Sequence, residues 1–184
     1  MKTLILNGSP RPHGDTAGLI ERLRAQLEGD VLVVRAYDAG ISPCVDCRRC
    51  WREPGCAIED GMQAVYRFIE DCDSAVIASP VYFSELTGRL LDVGSRLQTY
   101  YCGRAFRGEA VPIRPKRGAV ILVGGGDGGM ERAHATARTL LRQMNCEAIH
   151  PLVASHATNS RPALSDAAAL EGIDRIARFL NRAE

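Results

Sequence analysis

Thr3-Leu4-Ile5-Leu6-Asn7-Gly8-Ser9-Pro10-Arg11-Pro12-His13-Gly14-Asp15-Thr16 passes from a short apolar run into a loop with two glycines, two hydroxyls and an arginine. Length and content mark Thr3–Leu6 as a buried strand. From Asp15 to Leu27 the apolar residues Leu19, Ile20, Leu23 and Leu27 fall on one helical stripe, and Gly29 ends it. The segment is therefore strand, glycine-containing loop, helix. Free N–H groups at a helix N-terminus attract an anion, and the helix dipole adds to that attraction. Ser9 and Thr16 can each add a hydrogen bond, and Arg11 can neutralise charge. The loop has the chemistry of a phosphate cradle.

The same alternation continues outward. Val31–Val34, Ala75–Ala78, Gly118–Val123 and Glu147–Val153 read as further strands. Met62–Asp71, Leu86–Gln98, Met130–Met144 and Asp166–Leu180 read as helices. Pro43–Asp60 reads as a cysteine-rich loop, and Thr99–Lys116 as an irregular insertion. Strands apolar on both faces and separated by helices imply a parallel sheet covered on both sides. Right-handed crossovers leave few doubly wound orders, and five strands suit the order 2-1-3-4-5 with helices on both faces. Its ligand crevice lies beyond the strand carboxyl ends, so the loops after strands 1, 3 and 4 carry the expected site.

The chain has 184 residues and a formal charge of +1, which suits one domain spanning 1–184 and gives no basic face for nucleic acid. No apolar run approaches a membrane span, and Met1–Gly8 turns polar too quickly for a signal peptide. A cytosolic protein is expected. Its seven cysteines are then not a disulfide framework. Cys72, Cys102 and Cys146 read as small buried hydrophobes. The histidines His13, His134, His150 and His156 show no metal-ligand spacing. Arg104, Arg107, Arg114, Lys116 and Arg117 could meet the phosphate of a nicotinamide dinucleotide or form a solvated face.

Two further loops follow apolar strands. One is Ser79-Pro80-Val81-Tyr82-Phe83, the other Gly124-Gly125-Gly126-Asp127-Gly128-Gly129. The second formally contains Gly-x-Gly-x-x-Gly, but a dinucleotide fingerprint belongs at the first strand with an acidic residue closing the next. The first loop lacks the lysine of a Walker motif and the opening cysteine of a low-molecular-weight phosphatase.

Gly8-Ser9-Pro10-Arg11, then Gly14-Asp15-Thr16, then Ser79–Phe83 resembles the NADPH-dependent FMN reductases and iron–sulfur flavoproteins of the flavodoxin superfamily. The resemblance runs from Met1 to about Met144 and implies a flavodoxin-like fold. It implies that Ser9, Arg11 and Thr16 hold the FMN phosphate. It implies that Ser79, Pro80, Val81, Tyr82 and Phe83 contact the isoalloxazine and ribityl chain, with the aromatics bordering flavin or a dimer partner. Gly124, Gly125, Gly126 and Asp127 would meet the flavin edge. Asp15 stands where that family has Asn, so its carboxylate either opposes the phosphate or turns away to cap the helix. The implied activity is NAD(P)H oxidation through FMN to a second acceptor such as a flavin or quinone, in a homo-oligomer. The cofactor carries the chemistry, so no catalytic acid or base is expected.

Cys44-x2-Cys47-x2-Cys50-x5-Cys56 resembles the compact motif of iron–sulfur flavoproteins. Three readings of these residues stand: a [4Fe–4S] cluster in an electron-transfer module, free or redox thiols, and zinc. Arg48, Arg49 and Arg52 would lower thiol pKa values if they lie close.

Overall fold

The computed structural model describes residues 1–109 and 113–182. Its strands are β1 (Lys2–Asn7), β2 (Asp30–Arg35), β3 (Ser74–Pro80), β4 (Lys116–Val123), β5 (Cys146–Ile149) and β6 (Val153–Ser155). They form one sheet in the order β2-β1-β3-β4-β5, and β6 also pairs with β4. Every pairing is parallel. Leu4 sits between Leu32 and Ala75, and Ile77 lies opposite Val120.

Successive residues on a strand point to opposite faces. Leu4, Leu6, Ala75, Ile77, Val120 and Leu122 enter one core, while Ile5, Val76, Ala78, Ala119 and Ile121 enter the other. Each fully buried branched side chain contributes about 1.5–3 kcal/mol, so this continuous burial fixes the register. The second core is covered by α1 (Asp15–Arg24) and α6 (Ala167–Leu180). The first is covered by α2 (Met62–Asp71), α3 (Gly88–Ser95), α4 (Gln98–Phe106) and α5 (Glu131–Gln143). Asp166 caps α6, its Oδ1 accepting the Ala169 N–H at 3.2 Å.

The structure departs from the sequence reading in four places. First, α1 stops at Arg24, short of Leu27. The chain must turn tightly so that the Asp30 N–H can reach the Met1 carbonyl, at 2.8 Å. Gly29 makes that turn at φ +81°, and a Cβ there would lie 2.1 Å from the Met1 oxygen.

Second, Leu86–Gln98 is not one helix. α3 gives way to α4 through i→i−3 bonds from Arg96 N–H to Val93 and from Leu97 N–H to Gly94. The Arg96 carbonyl at this joint accepts the Tyr66 hydroxyl at 2.8 Å. Third, the expected insertion Thr99–Lys116 begins as α4, with Thr99, Tyr100, Cys102 and Gly103 buried. Positions 110–112 of that insertion lie outside the described residues.

Fourth, the expected strand Glu147–Val153 is two short strands, so the sheet has six. The His150 N–H donates to the Gly118 carbonyl, then Pro151, which has no N–H, interrupts the ladder until Val153.

Candidate flavin-binding cleft

The loops after β1, β3, β4 and β6 meet at the carboxyl ends of the strands around a cleft of about 320 Å³. Ser9, Arg11, Thr16, Pro80, Val81, Tyr82, Gly125 and Gly126 line it, as do Thr158 and Asn159. The doubly wound order puts the cleft there, because β1 and β3 are neighbours whose following loops diverge.

At the β1 end the chain is held by short local bonds. The Ser9 N–H donates to Asn7 Oδ1 at 2.8 Å, and the Arg11 N–H donates to Ser9 Oγ at 3.2 Å. The Gly8 N–H donates to the Ala78 carbonyl, which ties this loop to β3. Gly14 occupies the cap position of α1, and no side chain caps the helix. The first-turn N–H groups therefore have no intrahelical partner and open toward the cleft. Ser9 and Thr16 are buried beside them, and Arg11 is exposed at the rim. Unpartnered donors, two hydroxyls and a guanidinium suit a phosphate dianion.

Asp15 neither caps the helix nor is free to turn at will. Its Oδ1 accepts the Ala163 N–H at 2.8 Å, tying the start of α1 to the 3-10 turn Ala163–Ser165. Asp15→Ala is expected to destabilise the fold by about 1 kcal/mol by leaving that N–H unpaired, whereas Asp15→Asn keeps an acceptor oxygen and costs much less. Urea unfolding of the two variants checks this. An Asp15→Ala variant as stable as the parent would show that the bond contributes nothing.

The opposite wall is backbone. The carbonyls of Gly126, Gly124 and Gly125 accept the N–H groups of Ala157, Thr158 and Asn159 at 2.8, 3.0 and 3.1 Å. The turn after β6 is thus zipped to the glycine loop. A Cβ on Gly125 would lie 2.7 Å from Asn159 Oδ1, so a side chain there would require the Asn159 amide to swing aside. Ser155 Oγ donates to Asp166 Oδ2 at 2.9 Å, and Arg161 donates to the same oxygen at 3.1 Å. These bonds fix both ends of the turn. Burial would raise the Asp166 pKa, but its hydrogen bonds from Ala169 and Ser155 and the Arg161 charge hold it below the ordinary carboxylate value.

The remaining residues expected at the flavin lie off the cleft. Ser79 is buried behind it and donates to the Pro80 carbonyl at 2.7 Å. Gly124 is buried and donates its N–H to Ser155. Asp127 is exposed. Phe83 is fully exposed at the tip of a tight turn in which Tyr82 and Glu85 exchange backbone bonds. Phe83 and Ser84 both have positive φ, at 53° and 63°, a strained choice for residues other than glycine. α5 holds the turn in place: the Ala133 N–H donates to the Ser84 carbonyl, and Thr136 donates to Glu85.

The basic residues weighed for a dinucleotide phosphate have partners within the protein. Arg104 meets Gln143, Arg107 meets Glu109 and the Cys50 carbonyl, Arg114 meets Asp73, and Arg117 meets the Arg182 carbonyl. Lys116 is buried, and burial lowers its pKa.

The cysteine loop docks on α4. Trp51 stacks on Phe106 with ring centroids 4.1 Å apart, and the Arg48 guanidinium lies 4.8 Å over Trp51. Cys44, Cys47, Cys50 and Cys56 line one cavity of about 20 Å³, together with Arg96 and Thr99. Among the described residues, no three His, Cys, Asp or Glu side chains converge on a point where one metal ion could bind. Arg48 pairs with Asp46 and Arg49 with Glu53. The Cys50 thiol is not lowered. Burial, with the neighbouring Cys102 thiol, pushes it up to about 11.

Among the described residues, no helix is long and apolar enough to cross a membrane. Comparison with known proteins agrees with this architecture. An iron–sulfur flavoprotein of Methanocaldococcus jannaschii is 30% identical over 135 residues, covering 71% of this chain and 66% of its own length. One from Archaeoglobus fulgidus is 26% identical over 145 residues, covering 77% of this chain and 63% of its own length. The match thus spans less than two thirds of those relatives. An NAD(P)H:quinone oxidoreductase from Methanothermobacter marburgensis superposes with a TM-score of 0.74 at 16% identity, covering 100% of this chain and 98% of its own. An azoreductase from Bacillus anthracis superposes with a TM-score of 0.68 at 18% identity, covering 98% of this chain and 99% of its own. These two structures establish the flavodoxin-like fold. The model of the NADPH-dependent FMN reductase family matches residues 1–159, and the chain belongs to that family.

Proposed function

We propose that this chain is an FMN-dependent NAD(P)H oxidoreductase and acts as one FMN-binding unit. The observation that carries the reading is the uncapped N-terminus of α1 opening beside buried Ser9 and Thr16 on a cleft at the strand carboxyl ends. Ser9, Arg11, Thr16 and the α1 amides would hold the phosphate. Pro80, Val81, Tyr82, Gly125 and Gly126 would border the ribityl chain and ring. Bound FMN supplies hydride acceptance from nicotinamide and electron delivery to a second acceptor. The protein's own part is to fix the ring, keep one face open and exclude water. Phe83 and half-exposed Tyr82 stand beside that opening, where a second copy of the chain would cover them. Cysteines that are all unpaired suit a reducing cytosol.

The test is an FMN titration followed by turnover with NADH and NADPH against a quinone, an azo dye, free flavin and a ferric chelate. Saturable FMN binding with turnover of at least one acceptor supports the reading. No FMN binding overturns it.

A second reading, an iron–sulfur electron-transfer module, is favoured by one observation: Cys44, Cys47, Cys50 and Cys56 all line one small cavity. One tetrahedral zinc ion with sulfurs at about 2.3 Å would need them converged already. A four-iron cube holds its four thiolates wider apart, and the space of about 20 Å³ between these residues does not hold one as it stands. Seating it requires the exposed Cys44–Arg49 arc to move outward. The four cysteines would bind it, and it would add a one-electron relay. Iron, sulfide and zinc analysis of anaerobically purified protein separates the outcomes. Iron with sulfide supports the module, and stoichiometric zinc or no metal after reconstitution removes it.

A further inference from the structure

Lys116 opens β4 and is only 3% exposed. Its Nζ has three N–H groups to place, and among the described residues it places one, on the Arg114 carbonyl at 3.1 Å. The carboxylates nearby are already engaged. Asp73 accepts the Lys2 backbone N–H at 2.7 Å and pairs with Arg114 at 3.1 Å, and Asp71 pairs with Lys2 and Arg114. The Cys72 and Cys146 thiols also neighbour this ammonium. Burial pushes them up to about 11 and about 12, so neither is a thiolate at neutral pH. Among the described residues Lys116 forms no ion pair, and burial lowers its pKa despite the pull of Cys72, Cys146 and Asp73. A buried ammonium without a counter-charge is costly unless something anionic meets it.

There is room for that. Lys116 lines a cavity of about 260 Å³ with Met1, Asp73, Arg114, Pro115, Arg117 and Arg182. Its charged lining is four cationic side chains against the single carboxylate of Asp73. The register between β4 and β5 slips at Lys116/Arg117. Such a bulge re-aims side chains, and here both neighbours border one cavity. Asp73 precedes β3 and Lys116 begins β4, so the cavity sits at the amino ends of the strands. The eight residues of β4 separate it from the flavin cleft by about 25 Å.

We propose that this cavity is an anion site for a phosphate group, free or carried on a small ester, with Lys116 as its buried anchor and Arg114, Arg117 and Arg182 around it. Guanidinium forks match phosphate oxygens, and a surplus of cations favours a dianion. The site does not depend on the flavin reading.

The experiment titrates full-length protein, with FMN added, with inorganic phosphate and separately with glycerol phosphate, at constant ionic strength set by chloride. Backbone amide shifts report binding, and those of Asp73, Lys116 and Arg117 should move together and saturate. Lys116→Met keeps a long side chain and removes the charge. Its phosphate dissociation constant should rise roughly tenfold or more, the scale of one charge-assisted bond. Arg117→Gln should raise it several-fold, and it decides the matter if Lys116→Met does not fold. The loop before α1 is intact in both variants, so phosphate bound there cancels from the comparison. In chloride alone Lys116→Met should unfold at higher urea than the parent, because an unpaired buried charge has gone. Phosphate should narrow that gap by stabilising the parent.

Saturation by glycerol phosphate as well as inorganic phosphate supports a site for a phosphate ester, and saturation by inorganic phosphate alone supports a site for the free ion. Phosphate that moves no amide at this end of the sheet, that binds both variants as it binds the parent, or that leaves the urea gap unchanged overturns the proposal.

Discussion

Arg11→Ala and Thr16→Ala should each weaken FMN binding by about 1–3 kcal/mol, roughly 5- to 150-fold, while riboflavin binds both variants as it binds the parent. Arg11 stands exposed at the rim, and Thr16 is buried in the first turn of α1. They act on the phosphate by different means. Arg11 supplies charge partly screened by water, so its effect should shrink at high salt. Thr16 supplies a desolvated hydroxyl next to unpartnered helix amides, so its effect should persist. Titrations of FMN and riboflavin at two ionic strengths measure both. Equal losses for the two ligands would mean that these residues shape the ring pocket and that the phosphate lies elsewhere.

Gly8→Val should have a larger effect on the fold itself. A Cβ at Gly8 would come within 2.8 Å of Leu90 Cδ2, 2.8 Å of Ser79 Oγ and 3.0 Å of Thr87 Oγ1. All three neighbours are buried, and none is the loose end of a surface chain. Gly8 cannot retreat, because its N–H is bonded to Ala78 and its carbonyl to Thr87 Oγ1 at 2.8 Å. Overpacking of this kind costs about 1–3 kcal/mol, and valine, with two methyl groups beyond Cβ, should lie at or above the top of that range. The cradle begins at the next residue, so FMN affinity should fall with stability. A lowered urea midpoint with an unchanged slope is the expected signature. Parental midpoint and affinity would mean that β1 and α3 are not locked here.

The sheet and its two cores were legible because runs such as Leu4–Leu6, Ala75–Ala78 and Ala119–Val123 are apolar on both faces. Only a parallel sheet covered on both sides buries such runs. α4 was hidden because its buried positions are Thr99, Tyr100, Cys102 and Gly103, which make no apolar stripe. The break between β5 and β6 was readable in principle, since Pro151 cannot donate to a ladder.

The cradle could be read because its donors are consecutive in the chain. Thr158 and Asn159 could not. They reach the cleft because β6 runs beside β4 and the following turn bonds to Gly124–Gly126. No local pattern announces that contact. The partner of Asp15 is likewise remote, at Ala163. Nothing in the sequence singles out Arg96, and only the fold brings Ser42, Ile58 and Asp60 around it.

Electron transfer from nicotinamide to flavin at the cleft is the central claim. The most direct measurement is anaerobic mixing of FMN-loaded protein with one equivalent of NADPH or NADH while the flavin's visible band is followed. The band should bleach stoichiometrically with at least one of the two nucleotides, and return when a quinone or free flavin is added. A flavin that binds saturably but stays oxidised in excess of both nucleotides would contradict it.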